Sequence, residues 1–503
     1  MRRRQYCRRL PDYGPHARDV QARANRHGKA TSKGGRVERH DIMNDTLIQL
    51  AYLLAAFLFI MALRALGRPD TARRGMQFAA FGMAAAVLAT LLHARIVNYE
   101  WLAVGAIIGA VAGYPLGMWV PMTAMPQRIA LSHAFGALAA TLVGVGEYTH
   151  SVATGSLSHG QVLALGLEVL FGGLTVAGSL MAFGKLQEIL PGRPLTFRGQ
   201  NALNLMLLAA AVIGLAWLTV SPNEAWVFAA MLVIAVLVGI LFVLPIGGAD
   251  MPVVVSLLNS YAGLAAVATG FAIDNNILII VGALDGLSGL ILSLAMSKAM
   301  NRSFANVLFG AFGSAAPGGV ESAVTGNEMS ATNAEDAALR LAYADRVIMV
   351  PGYGLAVSQA QHQIRELGDL IEKHGADLRY AIHPVAGRMP GHMNVLLAEA
   401  GIPYDKLIDM DEINDRFPET DVAIVVGAND VVNPAARTNP ASPIFGMPIL
   451  KVSEAKSVLV LKRGKGKGFS GVENDLFVDP KTSMLFGDAR QSLLDLGLQV
   501  KQA

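Results

Sequence analysis

Arg346-Val-Ile-Met-Val-Pro351-Gly352-Tyr-Gly354-Leu-Ala-Val357 is an apolar run that stops at a glycine turn. A short apolar run bounded by a turn reads as a buried strand. From Ser358 to His374 the apolar positions recur at helical spacing, so the stretch predicts a strand, a turn and an amphipathic helix in succession. Further strands are expected at 378–382, 407–409, 422–426, 449–452 and 458–461, separated by helical patterns. Strands alternating with helices make a parallel, doubly wound α/β sheet, a Rossmann-like domain, which is assigned to residues 336–503.

Upstream the composition changes. The chain has 503 residues, of which 53% are hydrophobic and 16% charged, and a mean hydropathy of +0.43, far from a soluble average. The apolar excess lies before residue 300, in runs of about 18 to 22 residues, each long enough to cross roughly 30 Å of hydrocarbon as a helix. Nine spans are expected: 44–63, 76–93, 101–120, 129–146, 162–183, 203–220, 226–245, 252–272 and 277–296. They form a polytopic helical membrane domain over 43–302, and the Gly-, Ala- and Ser-rich stretch 303–335 reads as a linker. The single cysteine, Cys7, excludes an internal disulfide framework and a Cys-held metal or iron–sulfur site, so redox chemistry must use an organic cofactor or a partner. Nothing in the sequence suggests a metal site or nucleic-acid binding.

Loops after odd-numbered spans carry Arg64, Arg68, Arg73, Arg74, Arg128, Lys185, Arg193, Arg198, Lys298 and Arg302, whereas loops after even-numbered spans carry only Arg95. The positive-inside rule then places the sheet domain in the cytoplasm and the start of the first span outside. Residues 1–42 conflict with that orientation, with twelve Lys or Arg against four acids and no apolar run. The expectation is that Met43 is the true start and that 1–42 is a disordered basic extension or an untranslated one.

Ionisable groups at membrane depth are costly and carry functional hypotheses. His133, early in the fourth span, is the side chain type best suited to take up and release a proton; the alternative is a histidine bonded between helices. Asp250, in Gly247-Gly-Ala-Asp-Met-Pro, opens the eighth span, with an N-cap ahead of Pro252 as its bland reading. Asn259 and Ser260 lie two turns deeper, where an amide bonds a facing histidine or only glues helices together. Glu168 and Asp285 either line a hydrated path or are paired structural polars. Small-residue repeats such as Gly105-Ala-Ile-Ile-Gly109 and Gly282-Ala-Leu-Asp-Gly286 are read as packing devices.

In the sheet domain the turn Gly352-Tyr353-Gly354 follows a strand and precedes a helix, the position a dinucleotide pyrophosphate requires. Two of the three customary glycines are present, with Val357 in the third place. No acid ends the second strand to grip a ribose hydroxyl; the chain offers Arg388, Lys462 and Arg463 instead. Basic groups there favour a 2′-phosphate and hence NADP, although Lys462 and Arg463 also read as a solvated basic patch.

The strings Gly247-Gly-Ala-Asp-Met-Pro-Val-Val-Val-Ser-Leu-Leu-Asn-Ser-Tyr, Pro351-Gly-Tyr-Gly-Leu-Ala-Val, His383-Pro-Val-Ala-Gly-Arg-Met-Pro-Gly-His-Met-Asn, Asp409-Met-Asp-Glu-Ile-Asn-Asp and Gly427-Ala-Asn-Asp-Val-Val-Asn-Pro resemble the beta subunit of proton-translocating NAD(P) transhydrogenases. The resemblance runs over about residues 43–500 in the same order. It implies reversible hydride transfer between NAD(H) on a partner alpha subunit and NADP(H) on this chain, coupled to proton passage from periplasm to cytoplasm. It also implies a bacterial inner-membrane location and a dimer of alpha-beta units. Carried over by position, Ser132, His133 and Asn259 match the family's proton-translocating residues, and Asp250 its coupling loop acid. Gly352, Tyr353, Gly354, Ala356 and Val357 match the pyrophosphate turn; His383, Arg388, Gly427, Asn429 and Asp430 lie in loops over NADP(H); Lys462 and Arg463 match the 2′-phosphate clamp. Phe469 stands where the family often has Tyr in a lid. Two other classes compete, a transporter with a nucleotide-sensing domain and an inert anchor for a dehydrogenase. The lack of an evident duplication argues against the first, and His133 and Asn259 at membrane depth against the second.

Overall fold

The computed structural model describes residues 46–92, 98–121, 124–191, 195–247, 250–299, 304, 329–388, 391–440, 442, 444–466 and 472–503. The basic extension 1–42, Phe469 and most of the expected linker lie outside the described residues.

Nine helices among the described residues are long and apolar enough to span a membrane, one over each expected span. They are α1 (Thr46–Leu66), α2 (Pro69–Leu91), α3 (Tyr99–Met118), α4 (Met125–Thr154), α5 (His159–Leu186), α6 (Gln200–Val220), α7 (Ala225–Val243), α8 (Met251–Ala272) and α9 (Asn276–Ala299). The chain divides into two compact units, up to Ala106 and from Ile107. In the first, α1 and α2 form a hairpin in which Tyr52 Oη and Thr90 Oγ1 lie 2.9 Å apart and the Thr71 hydroxyl donates to the Ala65 carbonyl at 2.6 Å.

In the second unit α5 and α8 are the most enclosed spans, with 67% and 61% of their apolar windows buried, so they form the centre around which α4, α7 and α9 pack. α4 runs 30 residues, from Met125 to Thr154, well past the expected 129–146. α8 and α9 approach backbone to backbone: a Cβ on Gly263 would lie 2.3 Å from the Gly286 nitrogen and 2.7 Å from the Gly282 oxygen. The repeat at 282–286 is therefore a packing device, because only residues without a side chain permit that separation. Gly105 and Gly109 have no such neighbour among the described residues.

Among the described residues the sheet domain has six strands: β1 (Arg346–Pro351), β2 (Asp377–Ile382), β3 (Leu407–Asp409), β4 (Val422–Val426), β5 (Ser457–Lys462) and β6 (Thr482–Phe486). All pairings are parallel, in the order β3-β2-β1-β4-β5-β6. Along β1 the pleat sends Val347 and Met349 into the core on one face and Ile348 and Val350 into the core on the other. This two-sided burial is why the strand reads as a continuous apolar run.

Three expectations need correction. Residues 449–452 are not a strand: the Ile449 carbonyl and the Lys451 N–H bond the Asn414 side chain, and the Leu450 N–H bonds the Val431 carbonyl. A side-chain amide thus satisfies the backbone that a ladder would otherwise hold. The sixth strand is β6, hidden in the sequence by its polar start Thr482-Ser483. Finally, the helix expected from Ser358 is broken: a short helix α11 (Tyr353–Val357) ends at Ser358, Gln359 adopts φ 49°, and the long helix α12 (Gln361–Lys373) begins only afterwards. Residues 330–332, expected in the linker, bond to Met484 of β6, and the Asn333 side chain caps α10 (Ala334–Ala342) by accepting from the Asp336 N–H at 2.7 Å.

Candidate functional site: the carboxyl edge of the sheet and the polar groups of the spans

The strand order reverses between β1 and β4, and in open parallel sheets ligands bind in the crevice outside the strand ends at such a point. The residues after β1 and β4 are shaped for close backbone approach. The Gly352 N–H donates to the Val426 carbonyl and the Gly354 N–H to the Gly427 carbonyl, both at 2.9 Å. A Cβ on Gly352 would lie 2.4 Å from the Ala428 Cα, and one on Gly354 would lie 2.7 Å from the Gly427 Cα. Gly427 itself has φ 68°, and its Cβ would fall 2.5 Å from the Gly354 Cα. These glycine amides are thus committed to the protein, and the glycines act by bringing the two turns together into one cradle.

Beside the cradle, the Arg388 guanidinium lies over the Tyr353 ring, 4.5 Å from its centroid, and the Tyr353 and His392 rings are 6.3 Å apart. His392 opens α13 (His392–Glu399) and is 1% exposed. Its Nδ1 accepts from the Arg388 N–H at 3.0 Å, which puts the ring proton on Nε2. That Nε2 is buried without a partner among the described residues. His383, after β2, is also 1% exposed: Nδ1 accepts from the Val385 N–H at 3.2 Å and Nε2 donates to the Pro448 carbonyl at 2.8 Å. Burial brings both imidazoles down to about 4, aided at His392 by the Arg388 charge, so both are neutral at pH 7. With both nitrogens engaged, His383 acts as a buttress of its loop.

The remaining sequence-predicted residues share this edge without converging on one point. Ala356 is buried in α11 and Val357 is half exposed. Asn429 is held from both its carbonyls by the Asn474 amide at 2.9 Å. Asp430 starts a short 3₁₀ turn, and its carbonyl accepts from the Asn433 N–H. Lys462 donates to the Gly464 carbonyl at 3.0 Å and to that of Gly466, and its ammonium sits over the Phe477 ring. Arg463 is largely exposed and 3.7 Å from Asp488. A small pocket beside this edge is lined by Asn429, Gly466 and Asn474 among others. Asn474 was not legible as a site residue, since nothing in its sequence surroundings marks it.

In the spans, His133 and Ser132 lie on α4, and the His133 Nδ1 is buried without a hydrogen-bond partner among the described residues. Asn259 of α8 does not bond it; the amide donates to Asp285 Oδ1 of α9 at 3.1 Å. Glu168 of α5 is fully buried and its Oε1 accepts from the Thr269 hydroxyl at 2.7 Å. Asp250 stands at the N-cap position of α8, but its side chain makes no cap bond; only its carbonyl joins the helix, accepting from the Val253 and Val254 N–H groups. The expected N-cap position ahead of Pro252 is therefore occupied, but without a side-chain cap.

Lys185 corrects the loop-charge count. It belongs to the last turn of α5, is 3% exposed, and donates to the carbonyls of Val243, Leu244 and Ile246 at 3.2, 2.5 and 2.8 Å. It closes the C-terminal end of α7 rather than lying free in a loop.

The sequence profile of the family described as NAD(P) transhydrogenase beta subunit matches residues 48–498. Two chains named NAD(P) transhydrogenase subunit beta, from Rhodospirillum rubrum and from a designated strain of that species, are each 48% identical over 458 residues, covering 89% of this chain and 98% of theirs.

Proposed function

The chain belongs to the NAD(P) transhydrogenase beta subunit family, and on that premise we propose that it holds NADP(H) in its sheet domain and exchanges hydride with NAD(H) on a partner alpha subunit. We place it in the bacterial inner membrane, with the sheet domain cytoplasmic, working in a dimer of alpha-beta units. Proton passage from periplasm to cytoplasm drives the formation of NADPH.

The observation that carries the nucleotide half is the cradle at the switch point: a Cβ at Gly352, Gly354 or Gly427 would fill the space where the two turns meet. The unpartnered Nε2 of His392 adds a buried donor on the same edge, suited to a polar group of a ligand. NADP(H), when bound, supplies the nicotinamide that accepts or releases hydride. The chain's own residues position and shield it: the cradle holds a backbone approach, and the Tyr353–Arg388 pair presents a flat cationic surface. Lys462 and Arg463 serve a 2′-phosphate, for which Lys462 must leave the carbonyls of Gly464 and Gly466.

For the proton half, His133 is the carrier best supported, since its Nδ1 is buried with a vacant lone pair or proton. Asn259 acts one step removed, through Asp285. Asp250, at the head of α8, adjoins the carbonyls that Lys185 gathers, so a shift of α8 is felt at the end of α5. The ends of α5 and α9 share a side by parity, in keeping with the contact of the α5 end with the sheet domain that follows α9, and the excess of Arg and Lys between spans on that side supports its being the cytoplasmic one. The two nicotinamide couples differ little in intrinsic potential, so the drive must come from the proton. One charge crossing about 150 mV supplies about 3.5 kcal/mol. At about 1.4 kcal/mol per decade that is two to three orders of magnitude in the product ratio.

The test is NADPH formation from NADH in inside-out vesicles containing this chain and an alpha subunit. Acceleration by a proton gradient, abolished by an uncoupler, is expected; tight NADP(H) binding without turnover would instead favour a sensor or transporter.

A further inference from the structure

The last turn of α5 is a meeting point of three parts of the molecule. The Leu186 carbonyl accepts two hydrogen bonds, from Gln127 Nε2 at 3.1 Å and from an Arg388 guanidinium nitrogen at 2.7 Å. A carbonyl oxygen has two lone pairs, so the two donors are held together rather than in competition. Gln127 lies in the first turn of α4, six residues before His133. Arg388 lies in the loop between β2 and α13 and stacks on Tyr353 of the cradle. Its second terminal nitrogen pairs with Glu188 Oε1 at 2.9 Å. Glu188 reaches that place because its backbone adopts φ 62°, a left-handed step just past the helix, held by its N–H on the Lys185 carbonyl at 3.2 Å. One residue before Leu186, Lys185 ties the same turn to the carbonyls of Val243, Leu244 and Ile246, the run-up to Asp250.

Arg388 therefore has one guanidinium shared between the spans and the nucleotide edge. Its side chain is 16% exposed, so its bond to Leu186 is shielded, whereas Glu188 is 74% exposed and screened by solvent. We propose that Gln127 and Glu188 are positioning residues, and that the Lys185–Glu188 turn is the joint at which a displacement of the head of α4 moves Arg388 relative to Tyr353. This deepens the reading under Proposed function and rests on it for its physiological meaning. The joint itself rests on the contacts alone. Gln127 and Arg388 are joined by hydrogen bonds only through the Leu186 carbonyl among the described residues, so the hydrogen-bonded route from the head of α4 to the cradle runs through that oxygen.

The experiment is amide hydrogen exchange of the full-length chain in detergent, with Gln127→Leu, Glu188→Gln and the charge-keeping Glu188→Asp. The readout is the segment 386–392, where the Arg388 N–H bonds His392. Gln127→Leu and Glu188→Gln are expected to speed its exchange by about two- to thirtyfold, the range by which residues between coupled sites shift coupling. Glu188→Asp should recover most of the protection. In vesicles with the alpha subunit, the ratio of gradient-driven to uncoupled NADPH formation should fall in the same two variants, with β1 exchange unchanged. A Gln127→Leu chain whose 386–392 exchange matches the unmodified chain overturns the joint. An unmodified complex that ignores the gradient overturns the proton-coupled function instead, and the exchange result still decides the joint.

Discussion

Acidification should unlock the nucleotide domain through His383 and His392. In each ring Nδ1 accepts from a backbone N–H, that of Val385 or of Arg388, so adding a proton there turns an acceptor into a donor facing a donor. Both rings are 1% exposed, so water cannot relieve the conflict. Their folded pKa values lie at about 4 against an ordinary 6.5, so the unfolded chain takes up more protons. Stability is therefore fully present above pH 6.5 and is lost as pH falls toward 4. Linkage gives about 2 kcal/mol per histidine between pH 7 and pH 5, about 4 kcal/mol together. Asp421 does not contaminate this window: its hydrogen bond from the Lys456 side chain holds it below the usual carboxylate range, so its contribution is lost only at lower pH. Exchange protection of β1 and β4 amides, corrected for intrinsic rates, should drop by two to three orders of magnitude between pH 7 and pH 5. His392→Asn, which keeps an acceptor toward Arg388, should remove about half of that drop. A total fall of less than tenfold would refute the argument that these rings are held neutral.

Further outcomes are expected from single substitutions. Gly427→Ala, forced to φ 68° with its Cβ on the Gly354 backbone, should cost about 1–3 kcal/mol and weaken NADP⁺ binding at least tenfold by calorimetry; wild-type affinity would mean that the cradle is not the nucleotide site. Lys185→Met removes a donor from three carbonyls, of which those of Val243 and Leu244 keep the N–H groups of Ile246 and Leu195 while that of Ile246 loses its buried partner, at about 1–3 kcal/mol, and a melting temperature in detergent unchanged from the parent would contradict that role. His133→Ala should abolish gradient stimulation while NADP⁺ still binds, and stimulated turnover in that variant would remove it as carrier. Lys462→Ala should lower the preference for NADP⁺ over NAD⁺ by about tenfold, roughly one charge-assisted hydrogen bond, in paired binding titrations; an unchanged ratio would leave Lys462 as a loop clasp.

The spans were legible because a bilayer demands about twenty apolar residues at a stretch, a signal that survives without any knowledge of neighbours. The parallel sheet was legible for a related reason: strands covered on both faces, like β4 and, after its first residue Arg346, β1, are apolar throughout. Legibility ended where tertiary partners decide the outcome. Ile449 to Val452 has strand composition, yet Asn414 takes its hydrogen bonds; Thr482 to Phe486 lacks that composition, yet completes the sheet beside β5. In the site, residue types at Gly352, Gly354 and Arg388 were readable, but their contacts within the chain were not. The glycine amides face the protein's own carbonyls, and Arg388 reaches the end of α5. Gln127 and Glu188 gave no signal at all, because a polar residue near a span end is ordinary and only the fold supplies the shared carbonyl between them.

The contact between Gly354 and Gly427 has a consequence for how the nucleotide edge can open. Two turns that touch through bare backbone have no side chain to repack between intermediate positions, so they behave as a mitred corner. The corner either stays shut, with the turns after β1 and β4 moving as one piece, or it parts and exposes the Gly352 and Gly354 amides that Val426 and Gly427 now occupy. A ligand that recruits those amides must break two hydrogen bonds to do so, which makes this edge a threshold device with two settings rather than a graded one.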